Sequence, residues 1–511
     1  MSIINLKQMK MKKFKLRCLA LSFLTIGVLS SCDKNDDNPP TPTDGVLATS
    51  DNILTNGDKT IGNGDKEFVF TGKQTLKKGI YNLKGWVYVK DGAELTIEAG
   101  TIIKGDKGTK AALIIEPGAK LFAQGTATNP IIFTSAQAAG SRRPGDWGGL
   151  IICGRAQNNQ KEMQIEGGPR TKHGGTNNAD NSGKIQYVRV EFAGYPFAAD
   201  KEINGITFGS VGSGTTVDHL QVSYSNDDSY EWFGGAVNCK YLVAYHGWDD
   251  EFDTDNGFSG NVQYCLSIRH PRIADISQSN GFESDNCADG ATVNPFTTAT
   301  FSNVTFIGPL GQDEAFKNDN TYINGGSVYP DNGSGLGKFQ AAMQIRRSSH
   351  LSCVNSVAVG FPIGLLLDGE KGNTISEAKA GKLTLQNLWF AGMSVLGTDA
   401  NKVYEDYLVT GYGSDGKAIL DKTQPSYSST FFQAQPGNHS VSVADLKLTK
   451  PANSKITVNY LPGTDSPLLN GGNGSLSGGT NYAGAFKDAS DNWLAGWTEF
   501  DPQNANYDSV K

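Results

Sequence analysis

The sequence predicts an all-β chain wound as a right-handed parallel β-helix, and three observations carry that prediction. Glycine supplies 62 of 511 residues, and no long amphipathic helical pattern interrupts the turns. A nine-residue strand unit recurs through the middle of the chain: "KIQYVRVEF" from Lys184, "TVDHLQVSY" from Thr216, "NCKYLVAYH" from Asn238 and "NVQYCLSIR" from Asn261. It continues as "TFSNVTFIG" from Thr300, "HLSCVNSVA" from His350 and "TLQNLWFAG" from Thr384. Each unit has a bend-tolerant fourth residue followed by alternating apolar and polar residues, as expected of a strand with one buried face. The third observation is spacing: the starts lie 32, 22, 23, 39, 50 and 34 residues apart. Constant strands with variable insertions suit a solenoid whose loops leave one rung and return to the next. A propeller blade needs about 40–50 residues, so the two shortest intervals exclude it. Regular hairpin signals expected of a β-sandwich are absent.

Taken in order, the elements begin with an export signal. Residues 1–31 carry Lys7, Lys10, Lys12, Lys13, Lys15 and Arg17, no acids, and the short apolar run "CLALSFLTIGVL" before "SSC". That run is too short to span a bilayer. The ending Leu29-Ser30-Ser31-Cys32 resembles a bacterial lipobox, which makes Cys32 the expected lipidation site. Residues 32–60, with "DKNDDNPPTPTDG", read as a disordered tether. The acids directly after Cys32 resemble a surface-export signal of Bacteroidota-type lipoproteins. The expected address is therefore the outer membrane, lipid-anchored and facing the exterior. Removing the six positive charges of the signal from a net −7 leaves the mature chain near −13. That balance argues against nucleic acid and anionic lipid as partners.

Residues 61–400 form the expected coil and 401–511 its terminal rungs and cap, closed by Tyr482, Phe486, Trp493 and Trp497. A second repeat, Leu95–Gly105 against Leu113–Ala123, has an offset of 18 residues. Beyond Cys18 and Cys32 the cysteines are Cys153, Cys239, Cys265, Cys287 and Cys353, whose spacing matches no zinc motif. They read as buried core, with one disulfide left open.

The stretches "GWVYVKDGAELTIEAGTIIKG", "GTATNPIIFTS", "GSRRPGDWGGLIICGRA" and "YAGAFKDASDNWLAGWTEF" resemble an uncharacterised family of secreted and surface-anchored β-helix proteins of Bacteroidota. The run from Arg142 to Gly149 is its most specific mark. The resemblance implies a fold and an address, and little about activity.

The chemistry concentrates in "GWDDEFDTDNGF" (247–258), which holds five carboxylates and no Lys or Arg. Tyr230-Glu231-Trp232-Phe233, Phe252-Asp253-Thr254-Asp255 and Phe282-Glu283-Ser284-Asp285 share one pattern. Parallel rungs stack equivalent positions about 4.8 Å apart. Glu231, Asp253 and Glu283 then form one column, Asp255 and Asp285 a second, and Asp228, Asp250 and Asn280 a third. Stacked carboxylates repel unless protonated or bridged by a cation, and Ca²⁺ accepts such oxygens. Asp228, Glu231, Asp250, Asp253, Asp255, Glu283 and Asp285 are the candidate Ca²⁺ ligands, alongside the plainer reading of a solvated acidic face. An EF-hand is excluded, because Gly257 comes one place late and Val262 stands where its closing Glu belongs.

Tyr224, His246 and Arg269 share one repeat position beside these acids. Tyr224, Tyr230, Trp232 and Trp248 are candidate stacking surfaces for sugar rings, with His270 and Arg272 as polar contacts. Arg346 and Arg347 join the face later in the chain. Three function classes follow. One is a binding module for a glycan or other extended ligand, with Ca²⁺, feeding an outer-membrane uptake complex. The second is a polysaccharide lyase or glycoside hydrolase, with Asp253, Asp255, Glu231 and Glu283 as candidate catalytic acids assisted by His246 and Arg269. The third is a structural or adhesive surface protein. The polygalacturonase order of motifs is not met, and nucleotide, zinc and Ser-His-Asp signatures are absent.

Overall fold

The computed structural model describes residues 46–48, 59–62, 64, 67–198, 201–324 and 335–510. Residues 1–31, Cys32 and most of the tether lie outside these. Among the described residues, parallel strands form a twelve-stranded and a fifteen-stranded sheet facing each other across one apolar core. Successive strands of each sheet lie a rung apart, so the chain coils right-handedly as a parallel β-helix.

The strand unit explains the coil. Gly183–Glu191 pairs through its first half with Lys120–Gln124 and through its second half with Ile131–Ser135. Tyr187, between the halves, is left-handed at φ 49°. The same bend recurs at His219, Tyr241, Tyr264, Asn303, Asn355 and Asn387, with φ between 51° and 60°. The bend-tolerant fourth position is thus a corner that turns one long strand onto two faces. Non-glycine residues pay for this conformation, and Asn pays least.

The register corrects two spacings. Thr300 pairs with Ser352, so that unit begins two residues after His350, and the last two intervals are 52 and 32. Its left-handed residue is Asn355, the fourth from Ser352. The 18-residue repeat is not a rung. Leu95 pairs with Leu121, whereas Leu113 lies in the other sheet, paired with Val87 and Leu150. Similar local patterns on two faces of one rung produced that false period.

The C-terminal segment also departs from expectation. The helix Tyr427–Ala434 covers the last rung, its Phe432 stacked on Phe390 at 4.4 Å. Residues 471–508, however, run back along the outside of the fifteen-stranded sheet toward the first rungs. The Trp389 indole donates to Gly471 O, Asn303 Nδ2 to Gly484 O, and Gln221 Nε2 to Glu499 O. Trp493 and Trp497 lie against the corner rings of His219 and Tyr241. Arg142 donates to Pro502 O and Ala505 O, with its guanidinium over the Tyr507 ring. Arg142, at the head of the Arg142–Gly149 run, therefore docks the tail. Trp147 fills the core beneath it, and Gly105 leaves the space, since a Cβ there would meet the Trp147 ring at 2.6 Å.

All five described cysteines are buried free thiols. No helix among the described residues is long and apolar enough to cross a membrane.

Candidate functional site

Five short strands of the twelve-stranded sheet build the site: Ile206–Gly209, Tyr230–Phe233, Phe252–Asp255, Phe282–Ser284 and Ala341–Ile345. Side chains alternate along each. Tyr230, Phe252, Phe282 and Met343 point inward in one column, with Tyr230 and Phe252 stacked at 5.7 Å. Each such pair contributes on the order of 1 kcal/mol beyond its burial. The next residue of each strand points outward, giving the column Glu231, Asp253, Glu283 and Gln344. The pattern of aromatic then acid is a core ladder and a surface ladder read off the same strands.

A third column forms where each rung enters its strand. The Asp250 N–H donates to Asp228 Oδ1 at 2.8 Å, the Asn280 N–H to Asp250 Oδ1, and the Ala341 N–H to Asn280 Oδ1 at 3.0 Å. This ladder fixes the carboxyl groups of Asp228 and Asp250 along the rung edge.

The two columns wall a cavity of about 980 Å³. Loops complete it with Glu166, Glu202, Asp227, Asp249 and Asp275, giving ten lining carboxylates against Arg346, Arg347 and Lys402. Carboxylate oxygens of Asp228, Glu231 and Asp253 lie within 4.8 Å of one another, and so do those of Asp227, Asp228 and Asp249. Burial, then repulsion from neighbouring carboxylates, raises Asp227, Asp228 and Asp253 well above the usual carboxylate range. Burial raises Asp250 to about 6 against hydrogen bonds from Asn280. Glu231 accepts from Asn204 Nδ2, yet burial and Glu166 still raise it. Asp253 Oδ1 is shielded and has no hydrogen-bond partner.

The second acid column has another fate. Asp285 is ion-paired with Arg346 at 2.8 Å and Arg347 at 2.6 Å, and Arg346 also pairs with Glu283. Burial opposes the Arg346 charge, and these carboxylates more than offset it, holding the guanidinium charged. Asp255, raised to about 7 by burial and Asp285, accepts from the Asn256 N–H and does not line the cavity. As metal ligands, Asp255 and Asp285 are corrected accordingly.

The aromatic candidates are corrected as well. Tyr230 and Trp232 are fully buried in the core, with Trp232 stacked between Phe208 and Phe258. Trp248 is fully buried and donates to Gly335 O. Tyr224 stacks on Phe192 at 5.5 Å at the coil's corner. His246 does share the left-handed corner position with Tyr224, but it is buried against the Tyr245 ring at 3.7 Å, and burial holds it well below the usual imidazole range. His270 accepts from the Arg272 N–H, and Arg272 lies over the Tyr322 ring at 4.3 Å. Arg269 is fully buried, donates to the carbonyls of Trp248 and Asp249, and pairs with Glu251 at 3.2 Å. It props the turn that carries Asp249 and Asp250 and does not reach the cavity.

This solenoid with its walled outer face agrees with the sequence comparisons, in which residues 69–429 match the pectate-lyase-like β-helix domain. The chain belongs to the pectate-lyase-like β-helix family. The match takes in every strand of this family member's cavity. No curated protein matches it in sequence. One solved structure, an alginate lyase (AlyF-OU02) in complex with G6, aligns at 10% identity over 80% of this chain and 97% of that one, with a TM-score of 0.21.

Sequence reasoning missed the carboxylates supplied by loops. Glu166, Glu202 and Asp275 sit in non-repeating insertions, where no periodicity marks them. Asp227 and Asp249 had a signal, each directly preceding a column acid. Gln344 follows Glu283 in register, but a lone glutamine carries no motif.

Proposed function

We propose that the cavity binds Ca²⁺ through Asp228, Glu231 and Asp253 and, through that cation, an acidic polysaccharide. The carrying observation is the convergence of these three carboxylates within 4.8 Å. Oxygens sharing one Ca²⁺ at about 2.4 Å lie within about twice that distance of each other. The charge balance supports the same reading. Ten carboxyl groups against three basic groups, two of which are ion-paired with Asp285, leave little in the cavity to hold a uronate polymer unless a cation intervenes. The family's description supports a carbohydrate ligand. The anchor at Cys32 and an outer-membrane address complete the proposal, and [³H]palmitate labelling lost in Cys32→Ser tests them.

The test of the site is calorimetric titration with CaCl₂, then with polygalacturonate and alginate oligomers, with and without EGTA. Saturable Ca²⁺ uptake and chelator-sensitive oligomer binding are expected, with Asp253→Asn weakening Ca²⁺ at least tenfold. Absence of Ca²⁺ uptake sinks the reading. The family match also favours a second reading, β-elimination, for which Arg347 and Lys402 are the lining basic groups. New absorbance at 235 nm identifies a lyase, and binding without it identifies a binding module.

A further inference from the structure

The acidic wall ends at Gln344, which is 1% exposed and lines the cavity. A chain of hydrogen bonds fixes which way its amide faces. The Lys402 N–H donates to Gln340 Oε1 at 2.7 Å, so the Gln340 amide must present its nitrogen on the other side. That Nε2 donates to Gln344 Oε1 at 2.8 Å. The Gln344 Nε2 is left as a two-proton donor, and it has no partner despite complete shielding. Its column neighbours do not take it up. Glu283 is turned to Arg346, and the next rung offers Leu366.

A buried donor without an acceptor is costly unless an acceptor arrives with a ligand. Asn401, on the loop that carries Lys402, lines the same cavity, and its Oδ1 is a shielded acceptor without a partner. A neutral donor and a neutral acceptor at one end of a charged cavity match a group that both accepts and donates. A sugar hydroxyl does so; a bare cation does not.

We infer that Gln344 and Asn401 form a hydroxyl-recognising subsite, so that a bound saccharide lies with its carboxylate toward Asp228, Glu231 and Asp253 and a ring hydroxyl at Gln344 Nε2. This rests on the cation-dependent saccharide reading above. It adds the residues that distinguish a sugar from any other anion and sets the ligand's direction along the cavity.

The test titrates galacturonate and guluronate oligomers, in saturating Ca²⁺, into the full mature chain and its Gln344→Leu, Gln344→Glu and Asn401→Ala variants. Ca²⁺ alone is titrated in parallel. Gln344→Glu keeps the acceptor for Gln340 and removes the donor, so it reports even if Gln344→Leu folds poorly. Both Gln344 variants are expected to lower oligomer affinity at least tenfold, with about threefold for Asn401→Ala. In Gln344→Leu the Ca²⁺ affinity stays within twofold of wild type. Oligomer binding at wild-type strength in both Gln344 variants overturns this inference and leaves the cation reading standing. No oligomer binding by the wild type overturns both.

Discussion

The outer faces of the two long sheets are made by the same coil and have opposite fates. On the fifteen-stranded sheet, the corner column is Tyr187, His219, Tyr241 and Tyr264, with ring centroids 4.4–5.1 Å apart, and the C-terminal tail covers it. On the twelve-stranded sheet, the column is Glu231, Asp253 and Glu283, and it walls an open cavity. A rung spacing near 4.8 Å rewards stacked rings and penalises stacked carboxylates. Where repetition is favourable the chain seals the face with its own residues. Where it is unfavourable the face stays accessible, and the chain's own relief reaches only part of it, Arg346 pairing with Glu283 and not with Glu231 or Asp253.

The sealed face breaks most severely. Trp497→Ala removes a fully buried ring from between tail and coil, and unfolding free energy should fall by about 3–5 kcal/mol in denaturant titration. A loss under 1 kcal/mol would mean that the tail lies loosely on the sheet.

The open face sharpens the comparison through pH. Folding raises Asp250 to about 6 and Asp255 to about 7, above the unfolded carboxylate value of 3.8. Their folded forms hold protons that the unfolded chain has released, so this stability is complete below pH 4 and is lost as pH climbs through 6 and 7. These two groups therefore subtract stability as pH rises from 4 to 8, against the buried His173, His246 and His270, whose lowered pKa values add stability over the same range. Calorimetric scans check this column by column: Asp253→Asn in metal-free buffer should melt higher at pH 8 than wild type, and the two should converge at pH 4. A wild type that melts no lower than Asp253→Asn in metal-free buffer at pH 8 would remove the strained column.

The smallest effect is expected at the boundary between the faces. His246→Asn, at the corner and off the cavity, should leave Ca²⁺ and oligomer affinities within twofold. A tenfold loss by titration calorimetry would restore His246 to the site.

Much of this was legible in the sequence. The thrice-repeated aromatic–acid pattern fixed the register of Glu231, Asp253 and Glu283, because strands in register repeat their alternation. The same pattern did not reveal which way Tyr230 and Trp232 point. An aromatic beside an acid on a strand reads equally as a sugar platform or as the inward half of the alternation, and here it is the latter. Asp285 looked equivalent to Asp255, yet Arg346 and Arg347, sixty residues later, neutralise it. Long insertions bring in partners that no local spacing encodes. From sequence the tail reads as terminal rungs and an end cap, because aromatic clusters mark covered surfaces without saying which surface.

Arg142 bonding to Pro502 and Ala505 has a consequence for assembly. An ordinary solenoid adds turns one after another, each stable once its neighbour exists, and unravels from either end. Here the turn that carries Arg142 is held by residues 360 positions later, so it is complete only when that distant segment has docked. Such long-range closure slows folding and couples distant turns. A single protease cut near residue 500 would therefore loosen the beginning of the molecule as much as its end.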